Sequence, residues 1–179
     1  MNFTLPDSVT ISGAEYPVRT DFRVILEIFV MLDDPDLTDS DKTEALLRMF
    51  YAERPPDAEA ALHAFTDFVD PRHGSQSNKS SGRLIDWQQD FDLMVAPINH
   101  ILGFECRAAE YLHWRTFLSA YLEIPPESVF ARVLRIREKL RTGKKLEKNE
   151  RTWYNKNREL VHLKTKFSKA EEELIEAWT

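Results

Sequence analysis

The sequence predicts a mainly α fold, a helical bundle of about six to eight helices with a short N-terminal β-hairpin. Three observations carry that prediction. Apolar residues recur at the spacing of one helical face over most of the chain, only five of the 179 residues are Gly, and the 42% hydrophobic and 30% charged content is that of a globular rather than a disordered or fibrous polypeptide. A chain of this length can bury a real core, and its size suits one domain with a helical appendage. We expect a compact helical domain over 1–142 and a basic helical extension over 143–179.

The hairpin is read from Val9-Thr10-Ile11 and Tyr16-Pro17-Val18, alternating runs on either side of Ser12-Gly13-Ala14-Glu15. Two strands alone are marginal, so they must pack on a neighbouring helix. Phe22, Ile25, Leu26, Phe29, Val30 and Leu32 mark a first helix, with Thr20 as its N-cap and Asp33-Asp34-Pro35-Asp36 as its stop. Ser40 or Thr38 caps a second helix through Leu46, Leu47, Phe50 and Tyr51, which Pro55-Pro56 closes. A third starts near Asp57 and carries Ala61, Leu62, Phe65 and Phe68. The run 72–82 has no apolar side chain to repay its ordering entropy by burial, and a mobile loop is expected over about 71–83.

The most aromatic stretch comes next. Asp86 with Gln89 forms a capping-box signature ahead of Trp87, Phe91, Met94, Val95, Ile98 and Leu102, a face that Pro97 interrupts or kinks before Gly103 ends it. A fifth helix carries Tyr111, Leu112, Trp114, Phe117, Leu118 and Tyr121 as far as Pro125-Pro126. A sixth, from about Pro126 to Gly143, presents Val129, Phe130, Val133, Leu134, Ile136 and Leu140. Beyond Gly143 the apolar residues Trp153, Leu160, Leu163 and Phe167 are widely spaced, as on a solvated helix with a narrow stripe. Ser168 and Glu171 form a last capping box ahead of Leu174, Ile175 and Trp178.

Little in the chain points to chemistry. There is no glycine-rich phosphate loop, nucleophile elbow, paired-cysteine knuckle or dinucleotide fingerprint, so no cofactor is expected and the chain reads as a binding protein rather than an enzyme. The sharpest enzyme-like feature is Glu110-Tyr111-Leu112-His113, whose Glu and His would share a helix face and could ligate a metal; a di-iron bundle needs a second such pair, which is absent. Asp86, Asp90 and Asp92 could form a carboxylate cluster, but an N-cap role for Asp86 and a helix-dipole role for Asp90 explain them more simply. The single Cys106 excludes an internal disulfide and fits a reducing compartment. No apolar run approaches the roughly 20 residues that span a bilayer, and no signal segment opens the chain, so a cytoplasmic protein is expected.

Charge is unevenly placed. From Arg132 to Lys169 there are fourteen Lys or Arg and four Glu, although the whole chain carries a formal charge of −6. The basic surface comprises Arg132, Arg135, Arg141, Lys144, Lys145, Lys148 and Arg151, able to meet nucleic acid, an acidic protein or the acidic body of another copy. A basic run is more often a solvated helix face, and nucleic acid is the weaker expectation. The helical spacing of the aromatics suits a core; a part of that face left open, formed by Trp87, Phe91, Tyr111, Trp114 and Arg115, would be a docking surface.

Several of these segments together resemble the bacteriophage gp-fifteen family of siphophages and prophages. The hairpin followed by Thr20-Asp21-Phe22-Arg23 is similar to the family's opening, Leu84 through Leu93 to its Asp-Trp-x-x-Asp segment, Glu110 through Phe117 to its Leu-His-Trp helix, and Phe130 through Arg137 to its next helix. The resemblance covers roughly residues 5 to 160, and departs in Arg115, where many relatives carry a second aromatic, and in the basic C-terminal extension. It implies a tail assembly chaperone acting in the bacterial host cytoplasm, with the tape-measure protein and the tail tube protein as partners; the opposed charges of the acidic body and the basic segment add an expectation of salt-dependent self-association. The alternative reading of the residues is a nucleic-acid-binding or packaging accessory protein that uses the basic segment.

Overall fold

A computed structural model describes residues 4–70 and 83–178; the loop expected over about 71–83 lies, apart from Arg83, outside the described residues. Strands β1 (Ser8–Ile11) and β2 (Ala14–Pro17) pair antiparallel with Ile11 opposite Ala14, so the turn is two residues, Ser12-Gly13, rather than four. Both turn residues have positive φ, 51° and 85°, the condition for a type I′ turn whose twist matches that of the strands.

Among the described residues the helices are α1 (Phe22–Leu32), α2 (Asp39–Phe50), α3 (Ala58–Val69), α4 (Trp87–Leu102), α5 (Trp114–Leu122), α6 (Val129–Arg141), α7 (Lys148–Lys156), α8 (Arg158–Val161) and α9 (Lys169–Ala177), with one 3-10 turn, Cys106–Ala108. The fold is therefore mainly α behind an N-terminal hairpin, as the sequence predicts. Several boundaries differ. The N-cap of α1 is Asp21, whose carboxylate accepts from the Arg23 N–H at 2.9 Å, because Thr20 is engaged in extended pairing: its carbonyl accepts from Trp114 N–H at 2.6 Å. Asp86 does cap α4, accepting from the N–H groups of Gln88 and Gln89, but its own N–H donates to Asp90 Oδ2 at 2.9 Å, not to Gln89. The Gln89 amide instead donates to His162 O and accepts from Lys164 N–H. Helix α4 continues through Pro97 to Gly103, which has φ 77° and ends it. Tyr111 and Leu112 precede α5 rather than riding on it, and the basic stretch after Gly143 divides at Asn157 into α7 and α8.

The chain forms two compact units, one of Met1–Ser77, Tyr111–Phe117 and Lys166–Thr179, the other of Asn78–Glu110 and Leu118–Thr165. In the first, α1 packs on α2, α2 on α3, and α3 on β1. Its core is aromatic: Phe22 stacks on Phe117 with ring centres 4.5 Å apart, Phe50 meets Phe65 edge-on at 5.0 Å, and Phe29 meets Trp114 at 5.7 Å. Arg19 fastens the hairpin to α2 by donating to the carbonyls of Arg48, Met49 and Tyr51, which the end of the helix leaves unpaired. In the second unit α6 packs on α4 and α8 around Met94, Ile98, Phe130, Val133, Ile136 and Val161, all buried.

Candidate partner-binding site

Helices α1, α2 and α3 leave an open groove of about 410 Å³ lined by Leu32, Leu46, Leu62 and Phe65, with Asp39 and Lys42 among its polar lining. It exists because the apolar arc of α3 is wider than its buried stripe: Ala61, Phe65 and Phe68 are interior, while Leu62 stays half-exposed beside them. Such a trough matches the apolar stripe of an amphipathic helix. The sequence contains the signal, since Leu62 adjoins Ala61 on the apolar side of the third helix, but the greater aromatic density farther along draws attention away from it.

Of the five residues expected to form a docking surface, Trp114 is buried and the other four keep part of their surface exposed. Trp114 is 2% exposed, and its indole Nε1–H donates to Val69 O at 3.0 Å, so it is a core residue. Tyr111 is 57% exposed, with its hydroxyl hydrogen-bonded to that of Thr20. Arg115 is half-buried, its guanidinium over the Phe68 ring at 5.3 Å, a flat cationic group on an aromatic face. Burial lowers the pKa of that guanidinium, with Asp70 acting against the shift. Trp87 and Phe91 belong to the other unit; both are half-buried, and Trp87 packs against Tyr121 at 5.4 Å.

The segments that carry the family likeness are knitted to each other. In the first unit Asp21 pairs with His113 as an isolated antiparallel bridge, Phe22 N–H donates to Leu112 O, and Leu112 N–H reaches Asp21 Oδ2. His113 Nδ1 accepts from Arg115 N–H at 2.9 Å, which places the ring proton on Nε2, where Pro6 O lies 2.9 Å away. Burial pushes the Asp21 carboxyl up, but the Arg23 side chain and the N–H groups of Arg23 and Leu112 outweigh it and hold it below the usual carboxylate range. Leu112, His113 and Trp114 are all buried, so the Leu-His-Trp run is a folding element.

In the second unit Asp90 and Arg137, 0% and 6% exposed, form a two-pronged ion pair at 2.6 and 2.9 Å. Arg137 spends its remaining donors on the carbonyls of Leu84, Leu160 and Val161, at 2.8, 2.8 and 2.6 Å. All five guanidinium N–H groups are therefore satisfied, an arrangement that lysine cannot copy. The expected dipole role of Asp90 misses this contact. The sequence does hold a signal: Arg137 follows Phe130 and Val133 on one helical stripe, and Asp90 precedes Met94 and Ile98 on another, so two opposite charges stand where apolar residues belong.

Of the expected basic surface only Arg141 is ion-paired among the described residues, and other cations of the basic segment are paired as well. Lys139 Nζ sits 2.6 Å from Glu150, Arg141 pairs with Glu138, and Lys166 with Asp33. Arg132, Arg135, Lys144, Lys145, Lys148 and Arg151 remain exposed. Arg132 lies over the Trp153 ring at 5.4 Å, and Arg135 donates to Pro126 O. A groove of about 450 Å³ runs between α6 and α7, lined by Arg132, Arg135, Lys139, Asn149, Glu150 and Trp153 together with Glu147.

Glu110 and His113 precede α5, so the shared helix face expected of them does not form. Asp92 is exposed, 3.8 Å from Arg107, whereas Asp86 and Asp90 are buried, so the three carboxylates do not form one cluster. Among the described residues no group of three or more His, Cys, Asp or Glu is placed to hold a metal ion, and no helix is long and apolar enough to cross a membrane. No curated protein and no solved structure matches the chain. A family model described as "Bacteriophage Gp15 protein" matches residues 1–163. With its hairpin, its interlocked motif segments and that match over most of its length, the chain belongs to the bacteriophage Gp15 protein family.

Proposed function

We propose that this protein is a tail-assembly-chaperone-like component of a bacteriophage, binding the tape-measure protein, and tail tube protein with it, in the host cytoplasm. The reading is of a binding protein without a reaction of its own. The observation that carries it is the apolar groove of Leu32, Leu46, Leu62 and Phe65 in a phage family protein. A tape-measure protein is long and helical, and its apolar stripes are prone to aggregate until the tube encloses them. Many small copies, each holding one helical turn or two weakly, would cover such a stripe and still yield it to tube protein.

The alternative, nucleic-acid binding through the basic segment, is weakened by the internal pairing of Lys139, Arg141 and Lys166 and by the burial of Arg137. A pull-down with a purified tape-measure fragment separates the two. The groove reading expects capture that survives high salt, is lost in Leu62→Glu, and is unchanged in Lys144→Glu with Lys145→Glu. Nucleic-acid binding instead falls steeply with salt and fails in the lysine variant. Equal capture by Leu62→Glu and the native protein would exclude the groove as the binding surface.

A further inference from the structure

We propose that α9 of one copy docks in the groove between α6 and α7 of a second copy, so that the protein associates head to tail. A nine-residue helix is marginal in water unless something packs on it. The start of α9 is held in place: Ser168 and Glu171 form a capping box, Lys169 N–H donates to Asp36 Oδ1 at 2.8 Å, and Lys166 pairs with Asp33 at 3.0 Å. Its apolar side stays in solvent, with Leu174 61%, Ile175 49% and Trp178 89% exposed. Positions 171, 174, 175 and 178 share one helical side, so these residues form a single stripe. Tryptophan is among the residue types most enriched as interface anchors, and Trp178 is the most exposed of the three.

Charge selects the receiving surface. Glu171, Glu173 and Glu176 make α9 acidic, whereas the α6–α7 groove presents Arg132 and Arg135 beside the Trp153 ring. Lys139 answers Glu150, which it holds below its usual range with Arg135 acting at longer range, and lies 3.9 Å from Glu147, so that three cations face two carboxylates and the groove keeps a positive balance. The long-range attraction steers the acidic helix in. The stripe then seats on Trp153 and on the aliphatic stems of the arginines. Since each copy carries one α9 and one groove, and the two are different surfaces, the contact is heterologous and extends from copy to copy.

Sedimentation of the full chain over a range of concentration and salt tests this, with two exposed-site variants whose folding is checked by circular dichroism. The native protein is expected to gain mass with concentration and lose it as salt rises. Leu174→Ala with Trp178→Ala, and separately Arg132→Glu with Arg135→Glu, should each stay monomeric. Mixed together, the two variants should form a 1:1 dimer and nothing larger, because only one intact helix and one intact groove remain. A native protein that stays monomeric at all concentrations, a variant that associates like the native chain, or a mixture that gives no dimer would each overturn the proposal. None of these readouts involves the tape-measure protein, so the result is independent of the groove in the first unit.

Discussion

The Asp90 carboxylate and the Arg137 guanidinium hold each other in two parallel hydrogen bonds, inside the protein and out of reach of water. Removing one partner strands the other as a buried charge. Arg137→Met or Asp90→Ala is expected to cost about 3–5 kcal/mol, and the double variant Asp90→Leu with Arg137→Met less than the sum of the singles. Urea denaturation measures all three; single losses under about 1 kcal/mol would mean that the pair contributes little.

Acid should weaken the first unit through Asp21. Its folded pKa is lowered, so its stabilisation is complete above the unfolded carboxylate value, about 4, and is lost as pH falls through the lower folded value. Asp21→Asn should flatten the acid limb of the stability–pH curve while lowering the neutral plateau. An unchanged acid slope would assign the limb to other carboxylates.

Cys106 is expected to be inert. Burial pushes its thiol up, the neighbouring Glu105 charge adds to the shift, and the side chain is 0% exposed. A thiol reagent at pH 8 should label it only when denaturant opens the second unit, and rapid labelling of the native protein would contradict the packing described.

The hairpin turn offers a test in both directions. Gly13→Ala places a side chain at φ 85°, where an added Cβ meets no atom within 4 Å beyond its chain neighbours, so the loss is conformational and should be about 1 kcal/mol. Ser12→Asn puts the residue that tolerates positive φ best at φ 51°, and should raise the melting temperature slightly. The opposite order of melting temperatures would exclude the type I′ assignment.

How far the sequence could be read depended on whether its signals were local. The helices of Phe22, Phe50 and Phe65 follow from spacing alone, and the Ser168-Glu171 box is made of neighbours. Thr20 fails as an N-cap because a distant segment, at Trp114, claims its backbone; nothing within a few residues announces that. Trp114 looks like an anchor for a partner until Val69 supplies its hydrogen-bond acceptor from 45 positions away. The apolar groove is likewise a product of three helices, and only Leu62 hints at it from its place in the pattern. Asp90 and Arg137 are a long-range pair that does leave a local mark, two charges on apolar stripes that each demand a partner.

The reach of Arg137 has a consequence for synthesis on the ribosome. Its acceptors lie at Leu84, Asp90, Leu160 and Val161, on both sides of it in the chain. While the nascent polypeptide is still short of Leu160, the arginine faces an interior with two of its carbonyl acceptors missing, and closing the second unit would leave its donors unpaired. That part of the protein therefore matures late and all at once, after its last acceptor has left the exit tunnel.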